Sequence, residues 1–130
     1  MSDTGARYVL VVDDLAEQRE IYRTILLHEG FRVLEAGDGD TALSLARAHV
    51  PDVVLLDICL PDVDGFEVIR RLKADPRTSR IRIVLLTATA VAEDAVDGAG
   101  YDEYLAKPVQ PSEALEAVRR HLPPPGQLAR

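Results

Sequence analysis

The sequence predicts an α/β domain, one parallel sheet with helices on both of its faces. Two observations carry that expectation. Short, near-continuous apolar runs led by β-branched residues and leucine end abruptly in polar residues, which is the habit of strands buried on both sides. Amphipathic stretches lie between them, so strand and helix alternate five times along the chain. Alternation at this spacing implies right-handed crossovers onto a parallel sheet.

The first strand is Tyr8–Val12, closed by Asp13 and Asp14. Leu15–Glu29 then reads as a helix with Ile21, Tyr22, Ile25 and Leu26 on one face and Gly30 as its stop. Phe31–Ala36 is a weaker strand. Asp40–His49 repeats Ala42, Leu43, Leu45 and Ala46 and ends before Pro51. Val53–Leu56, closed by Asp57, is the third strand. Asp64–Ala74 spaces Phe66, Ile69 and Leu72 three apart and terminates at Asp75-Pro76. Ile81–Leu86, closed by Thr87, is the fourth strand, and Ala92–Gly98 is a short helical segment. Tyr104–Ala106 is a weak fifth strand. The last helix is Ser112–Leu122, which carries Leu115 and Val118 and follows a proline in the first-turn position that proline tolerates. Pro123-Pro124-Pro125-Gly126 cannot extend it.

Composition narrows the function classes. The chain has 130 residues, a one-domain length, with 47% hydrophobic and 28% charged residues, ordinary globular values. Fifteen basic against 22 acidic residues leave a net charge of −7, which opposes nonspecific binding to DNA or to an anionic membrane. The apolar runs are far shorter than the roughly 20 residues of a bilayer span. Met1–Arg7 lacks the pattern of a secretory signal. The single cysteine, Cys59, rules out an intramolecular disulfide and fits a reducing compartment. The expected location is cytoplasmic.

Open parallel sheets bind ligands beyond the carboxyl ends of their strands. Asp13 and Asp14 lie there after the first strand, Asp57 after the third, Thr87 after the fourth and Lys107 after the fifth. Residues far apart along the chain therefore converge on one edge. Two carboxylates about 5 Å apart repel by roughly 3 kcal/mol at an effective dielectric near 20, so three aspartates with one lysine call for a divalent cation. Oxygen ligands without histidine favour a hard ion, Mg2+ or Mn2+.

These residues resemble a response-regulator receiver domain of two-component signalling. The matching pieces are Val11-Val12-Asp13-Asp14, Asp57 with Leu60-Pro61-Asp62-Val63-Asp64-Gly65, Leu86-Thr87-Ala88, and Tyr104-Leu105-Ala106-Lys107-Pro108. The resemblance spans Tyr8–Leu122. It implies a flavodoxin-like doubly wound sheet of five strands in order 2-1-3-4-5 with five helices, the fourth short or irregular. Residues 1–122 would form the receiver domain and 123–130 a proline-rich tail or the start of a linker.

The resemblance also implies roles. Asp57 is then the phosphoacceptor for a phosphohistidine on a sensor histidine kinase or phosphotransfer protein. Asp13, Asp14, Asp57 and the backbone carbonyl of Cys59 hold the metal. Lys107 offers positive charge to the phosphoryl oxygens, and the Thr87 hydroxyl donates to one of them. Thr87 and Tyr104 are the switch residues, acting on the face made by the fourth helix, the fifth strand and the last helix, and a downstream effector protein or domain reads the result. By this likeness the domain assists its own phosphorylation and dephosphorylation and is not an enzyme in its own right; direct nucleic-acid or membrane binding is not expected.

Between Thr87 and Gly100 the chain is about two residues shorter than the family pattern, and it carries Gly98 and Gly100, each costing about 1 kcal/mol in a helix interior. The expectation is a short or frayed fourth helix and raised mobility across Val91–Gly100, which leaves dimerisation open.

Other residues read more simply. Cys59 has no basic neighbour or second cysteine to activate it. His28, His49 and His121 fall near helix ends, where the dipole favours them. Gly37-Asp38-Gly39 is a turn, because the lysine and hydroxyl of a nucleotide loop are missing. Arg70, Arg71, Arg77, Arg80 and Arg82 form a solvated basic face or a partner patch. Rival functions are a non-phosphorylated pseudo-receiver scaffold, a phosphohydrolase and a flavin carrier. Cys59 stands where the phosphohydrolase needs a second acid, and no serine- and glycine-rich loop follows the first strand.

Overall fold

The computed structural model describes residues 7–88 and 100–122. The expected helix over Ala92–Gly98, the mobility expected across Val91–Gly100 (Gly100 apart) and the tail from Pro123 lie outside the described residues. Within them, five parallel strands form one sheet in the order β2-β1-β3-β4-β5. The strands are β1 (Tyr8–Val12), β2 (Arg32–Ala36), β3 (Val53–Asp57), β4 (Arg82–Thr87) and β5 (Glu103–Ala106). Four helices are described: α1 (Ala16–His28), α2 (Gly39–His49), α3 (Gly65–Ala74) and α4 (Pro111–His121).

The sheet is buried on both faces because alternate residues serve two cores. Leu10, Val12, Val54, Leu56, Ile83 and Leu85 pack with Ala42, Leu43 and Ala46 of α2 and Val68, Ile69 and Leu72 of α3. Their neighbours Val9, Val11, Val53, Leu55, Val84 and Leu86 pack with Tyr22 and Leu26 of α1 and Ala114, Ala117 and Val118 of α4. The period of two along each strand thus decides which helix pair each residue meets. One residue departs from the expected pattern. Ile21, expected on the buried face of α1, is 45% exposed, because Tyr22 and Leu26 supply that contact.

Helix ends explain the turns. Asp38 caps α2 by accepting from the Thr41 amide at 2.7 Å, and Asp64 caps α3 by accepting from Phe66 at 2.8 Å. α1 has no cap from its own Leu15; Asp13 Oδ1 instead accepts from the Leu15 amide at 2.9 Å. The three histidines are the last residues of α1, α2 and α4. Arg70 and Arg71 pair with Glu67, Arg77 with Asp75 and Arg82 with Asp102, so those arginines of the basic face are balanced locally.

The turn from α3 to β4 is closed by polar contacts. The buried Thr78 hydroxyl donates to Leu72 O at 2.7 Å, and Lys73 Nζ donates to Ser79 O and Ile81 O at 3.1 and 2.9 Å. Asp75 accepts from the side chain and amide of Arg77, which hold its pKa down to about 2. A depressed acid stabilises the fold above its unfolded pKa, and the contribution disappears as pH falls through the folded value. Asp75→Asn is therefore expected to be less stable than the parent at neutral pH, with the gap closing between about pH 4 and about pH 2. Urea unfolding across that range checks this, and a gap independent of pH contradicts it.

Candidate functional site

All five parallel strands end at this edge, and four of them deliver a side chain to the site. Asp13 and Asp14 follow β1, Asp57 closes β3, Thr87 closes β4 and Lys107 follows β5. The strand order reverses between β1 and β3, so the chain leaves these neighbours in opposite directions and opens a crevice between their ends. Asp13 is 1%, Asp57 6% and Thr87 3% exposed, whereas Asp14 is exposed.

Lys107 ties the edge together. Its Nζ lies 3.1 Å from Asp57 Oδ2 and 3.3 Å from Asp13 Oδ2. The lysine amide donates to Thr87 O at 2.7 Å, which continues the β4–β5 ladder up to the site, and the Lys107–Pro108 peptide is cis. The second oxygen of Asp57 accepts from the Cys59 amide at 3.1 Å. Arg19, on α1, donates from Nη1 to the Asp13 carbonyl at 2.6 Å. Gly37 leaves room for that guanidinium, since a Cβ there would lie 3.1 Å from Arg19 Nη1.

The electrostatics follow from one cation among three carboxylates. Burial raises the Asp13 pKa; the Leu15 amide and Lys107 oppose this, Asp57 adds to it, and the net shift is upward. Burial disfavours the Lys107 ammonium, but the fields of Asp57 and Asp13 outweigh it and raise its pKa above the usual lysine value. The same ion pair thus favours the charge on the lysine without making Asp13 comfortable as an anion, because burial of Asp13 outweighs what the Leu15 amide and Lys107 return.

One oxygen from each of Asp13, Asp14 and Asp57 lies within 4.8 Å of the others. Three carboxylates against one ammonium leave two formal negative charges in a partly buried crevice. Oxygen donors of one sign at this spacing fit a hard divalent cation such as Mg2+.

Tyr104 stands apart from this cluster. It is 42% exposed and meets Tyr101 edge-on, with ring centroids 6.1 Å apart. Cys59 is exposed and free. Arg19 is a contributor that sequence reasoning missed, since an arginine on an amphipathic helix carries no signal of the carbonyl it will reach.

Comparison with known proteins agrees with the geometry. Residues 9–119 match the family model of the response regulator receiver domain, and the chain belongs to that family. It is 43% identical over 122 residues to the DNA-binding response regulator MtrA of Mycobacterium tuberculosis, covering 92% of this chain and 52% of MtrA. The chain therefore spans about half the length of these curated relatives. The chemotaxis response regulator CheY4 of Vibrio cholerae superposes with a TM-score of 0.83 at 29% identity, covering 90% of this chain and 99% of CheY4. The receiver domain of sensor histidine kinase PA1611 from Pseudomonas aeruginosa PAO1, solved with a magnesium ion coordinated in the active site cleft, superposes with a TM-score of 0.81 at 30% identity. That match covers 89% of this chain and 97% of the PA1611 domain. The flavodoxin-like fold and the 2-1-3-4-5 order are thus as expected for a response regulator receiver domain. No described helix is long and apolar enough to cross a membrane.

The raised Asp13 pKa has a consequence for stability. An acid whose folded pKa lies above its unfolded one lends stability in acid that is lost as pH rises through the folded value. In metal-free buffer, Asp13→Asn is expected to melt at a higher temperature than the parent at neutral pH, and the difference is expected to vanish in acid, where Asp13 is protonated. An Asn variant less stable than the parent at neutral pH contradicts this reading of the site.

Proposed function

We propose that this receiver domain is a phosphorylated switch and that Asp57 is its phosphoacceptor. The observation that carries the proposal is the position of the Asp57 carboxylate, at the topological switch point, with one oxygen on Lys107 and the other on the Cys59 amide. Phosphoryl transfer needs in-line positioning and charge neutralisation more than proton transfer, and those are what this edge supplies.

In the proposed reaction, a carboxylate oxygen of Asp57 attacks the phosphorus of a phosphohistidine on a sensor kinase or phosphotransfer protein. The oxygen–phosphorus bond forms as the phosphorus–nitrogen bond breaks, and the imidazole leaves with its electron pair. Asp13, Asp14, Asp57 and the Cys59 carbonyl are the proposed ligands of Mg2+, which when bound neutralises the phosphoryl oxygens. Lys107 supplies a fixed positive charge to the same oxygens, and the Thr87 hydroxyl is the proposed donor to one of them. The Cys59 amide holds the attacking carboxylate in one orientation.

Signalling would follow from the added charge. A phosphoryl group brings up to two negative charges and three acceptor oxygens to the end of β4. Drawing Thr87 toward it changes the packing beside β4, and Tyr104, on the adjacent strand, is the proposed reporter of that change. A differential contact of a few kcal/mol is enough to move such a two-state population. A downstream effector protein or domain would read the altered face in the cytoplasm. The net charge of −7 gives no support for direct nucleic-acid contact through this domain.

Incubation with acetyl phosphate and Mg2+ tests the proposal. The expected result is a mass gain of one phosphoryl group, complete loss of that gain in Asp57→Asn, and loss on chelation of the metal. No gain with any small donor or phosphorylated kinase overturns the switch and leaves the scaffold reading.

A further inference from the structure

The loop that links β3 to α3, residues 58–64, is fastened at two points. At its neck, the Gly65 amide donates to Ile58 O at 2.9 Å, and a Cβ on Gly65 would lie 2.7 Å from Ile58 Cα. At its tip, the Asp62 carboxylate reaches across to α2. Oδ1 accepts from the Gly39 amide at 2.8 Å and Oδ2 from the Asp40 amide at 2.9 Å, while Oδ1 also accepts from Val63 at 2.8 Å. Gly39 makes the approach possible, because a Cβ there would lie 2.1 Å from Val63 Cγ2.

The amides at the start of a helix have no partner within it. Asp38 satisfies the Thr41 amide from its own segment. Asp62 satisfies those of Gly39 and Asp40 from more than twenty residues away, 23 and 22 in sequence. Such charge-assisted bonds at the positive end of a helix are stronger than neutral ones. The three amides pull the Asp62 pKa below the usual carboxylate range, the Gly39 and Asp40 bonds most of all. Asp62 therefore stays ionised and bonded at neutral pH.

What the loop carries gives this fastening a function. Cys59, three residues before Asp62, donates the amide that orients Asp57 Oδ1. We propose that Asp62, docked on the α2 amides of Gly39 and Asp40, is a positioning residue for phosphorylation that fixes the loop and through it the Asp57 carboxylate. The inference rests on the reading of Asp57 as phosphoacceptor. Asp62 touches neither that carboxylate nor the groups proposed to bind the metal; it acts through the backbone between them. A small displacement of an attacking group has a large effect on a transfer rate, so releasing the loop tip slows phosphorylation while the nucleophile and its charges remain.

Two variants release the tip from opposite sides. Asp62→Ala deletes the acceptor, and Gly39→Ala inserts a methyl group against Val63. Each is expected to speed amide hydrogen exchange at Cys59, measured residue by residue by NMR, and to slow phosphorylation by acetyl phosphate on the order of tenfold. Thr78→Val serves as the control. It removes a buried hydrogen bond in the turn from α3 to β4 and lowers global stability, but is expected to leave both readouts at the parent level well below its melting temperature. The outcomes separate the two claims. A parent protein that does not accept phosphate overturns the phosphoacceptor reading itself. A parent that does, with Asp62→Ala and Gly39→Ala phosphorylated at its rate or with unchanged Cys59 exchange, overturns the positioning role alone. Equal slowing in Thr78→Val assigns the effect to general destabilisation and overturns it too.

Discussion

One ammonium group shared by two buried carboxylates is the constraint on which the rest of this molecule depends. Lys107 bonds both Asp57 and Asp13, and neither acid has the lysine to itself. A pair of isolated buried charges would have to recover its desolvation through its own attraction. Here one cation serves two acids, with exposed Asp14 beside them, so the cluster retains negative charge after every internal contact is made. That surplus makes the crevice a receptor for a cation. It also leaves a carboxylate at Asp57 whose two oxygens are held in place.

The parallel sheet explains why such a cluster can exist. Every strand runs the same way, so β1, β3, β4 and β5 all end at one edge. Their pairing registers keep Asp57 level with Leu86 and Thr87 level with Ala106. The two cores behind the sheet make that edge rigid, since strand residues alternate between the α2–α3 side and the α1–α4 side. Ile58, Leu60 and Val63 of the loop after β3 pack on the α2–α3 core, which ties the surroundings of Asp57 to the hydrophobic interior. Stability and chemistry pull against each other at Asp13, whose burial as an anion is unfavourable and whose position is nevertheless set by the Leu15 amide and Lys107.

Most of the frame was legible in the sequence because it rests on local rules. Apolar runs closed by Asp13, Asp57 and Thr87 mark strands and their ends at once, and no strand bound differs from the expected one by more than a residue. Histidines at helix ends and a bend at Gly37 and Asp38 follow from dipoles and backbone geometry, although Gly39, expected in that turn, already belongs to α2. The convergence of Asp13, Asp14, Asp57 and Lys107 was legible for the same reason, since each stands at the end of a strand or just past it. Contacts made across the fold were not. Ile21 has the spacing of a core residue, and only the fit of Tyr22 and Leu26 against the sheet leaves it outside. Asp62 on the α2 amides joins segments more than twenty residues apart, and Arg19, although near Asp13 in sequence, reaches its carbonyl only because α1 turns back over the end of β1. Asp62 lies in the Leu60–Gly65 segment that follows Asp57, yet nothing in the order of residues says which helix its carboxylate reaches.

The most direct test of the shared-cation account is a titration of the intact chain with Mg2+, followed through the carboxyl carbons by NMR. The account predicts that Asp13, Asp14 and Asp57 shift together along one saturable curve, with the Cys59 carbonyl moving alongside and distant acids such as Asp75 still. No saturable response at these three, or a response confined to acids elsewhere, would contradict it.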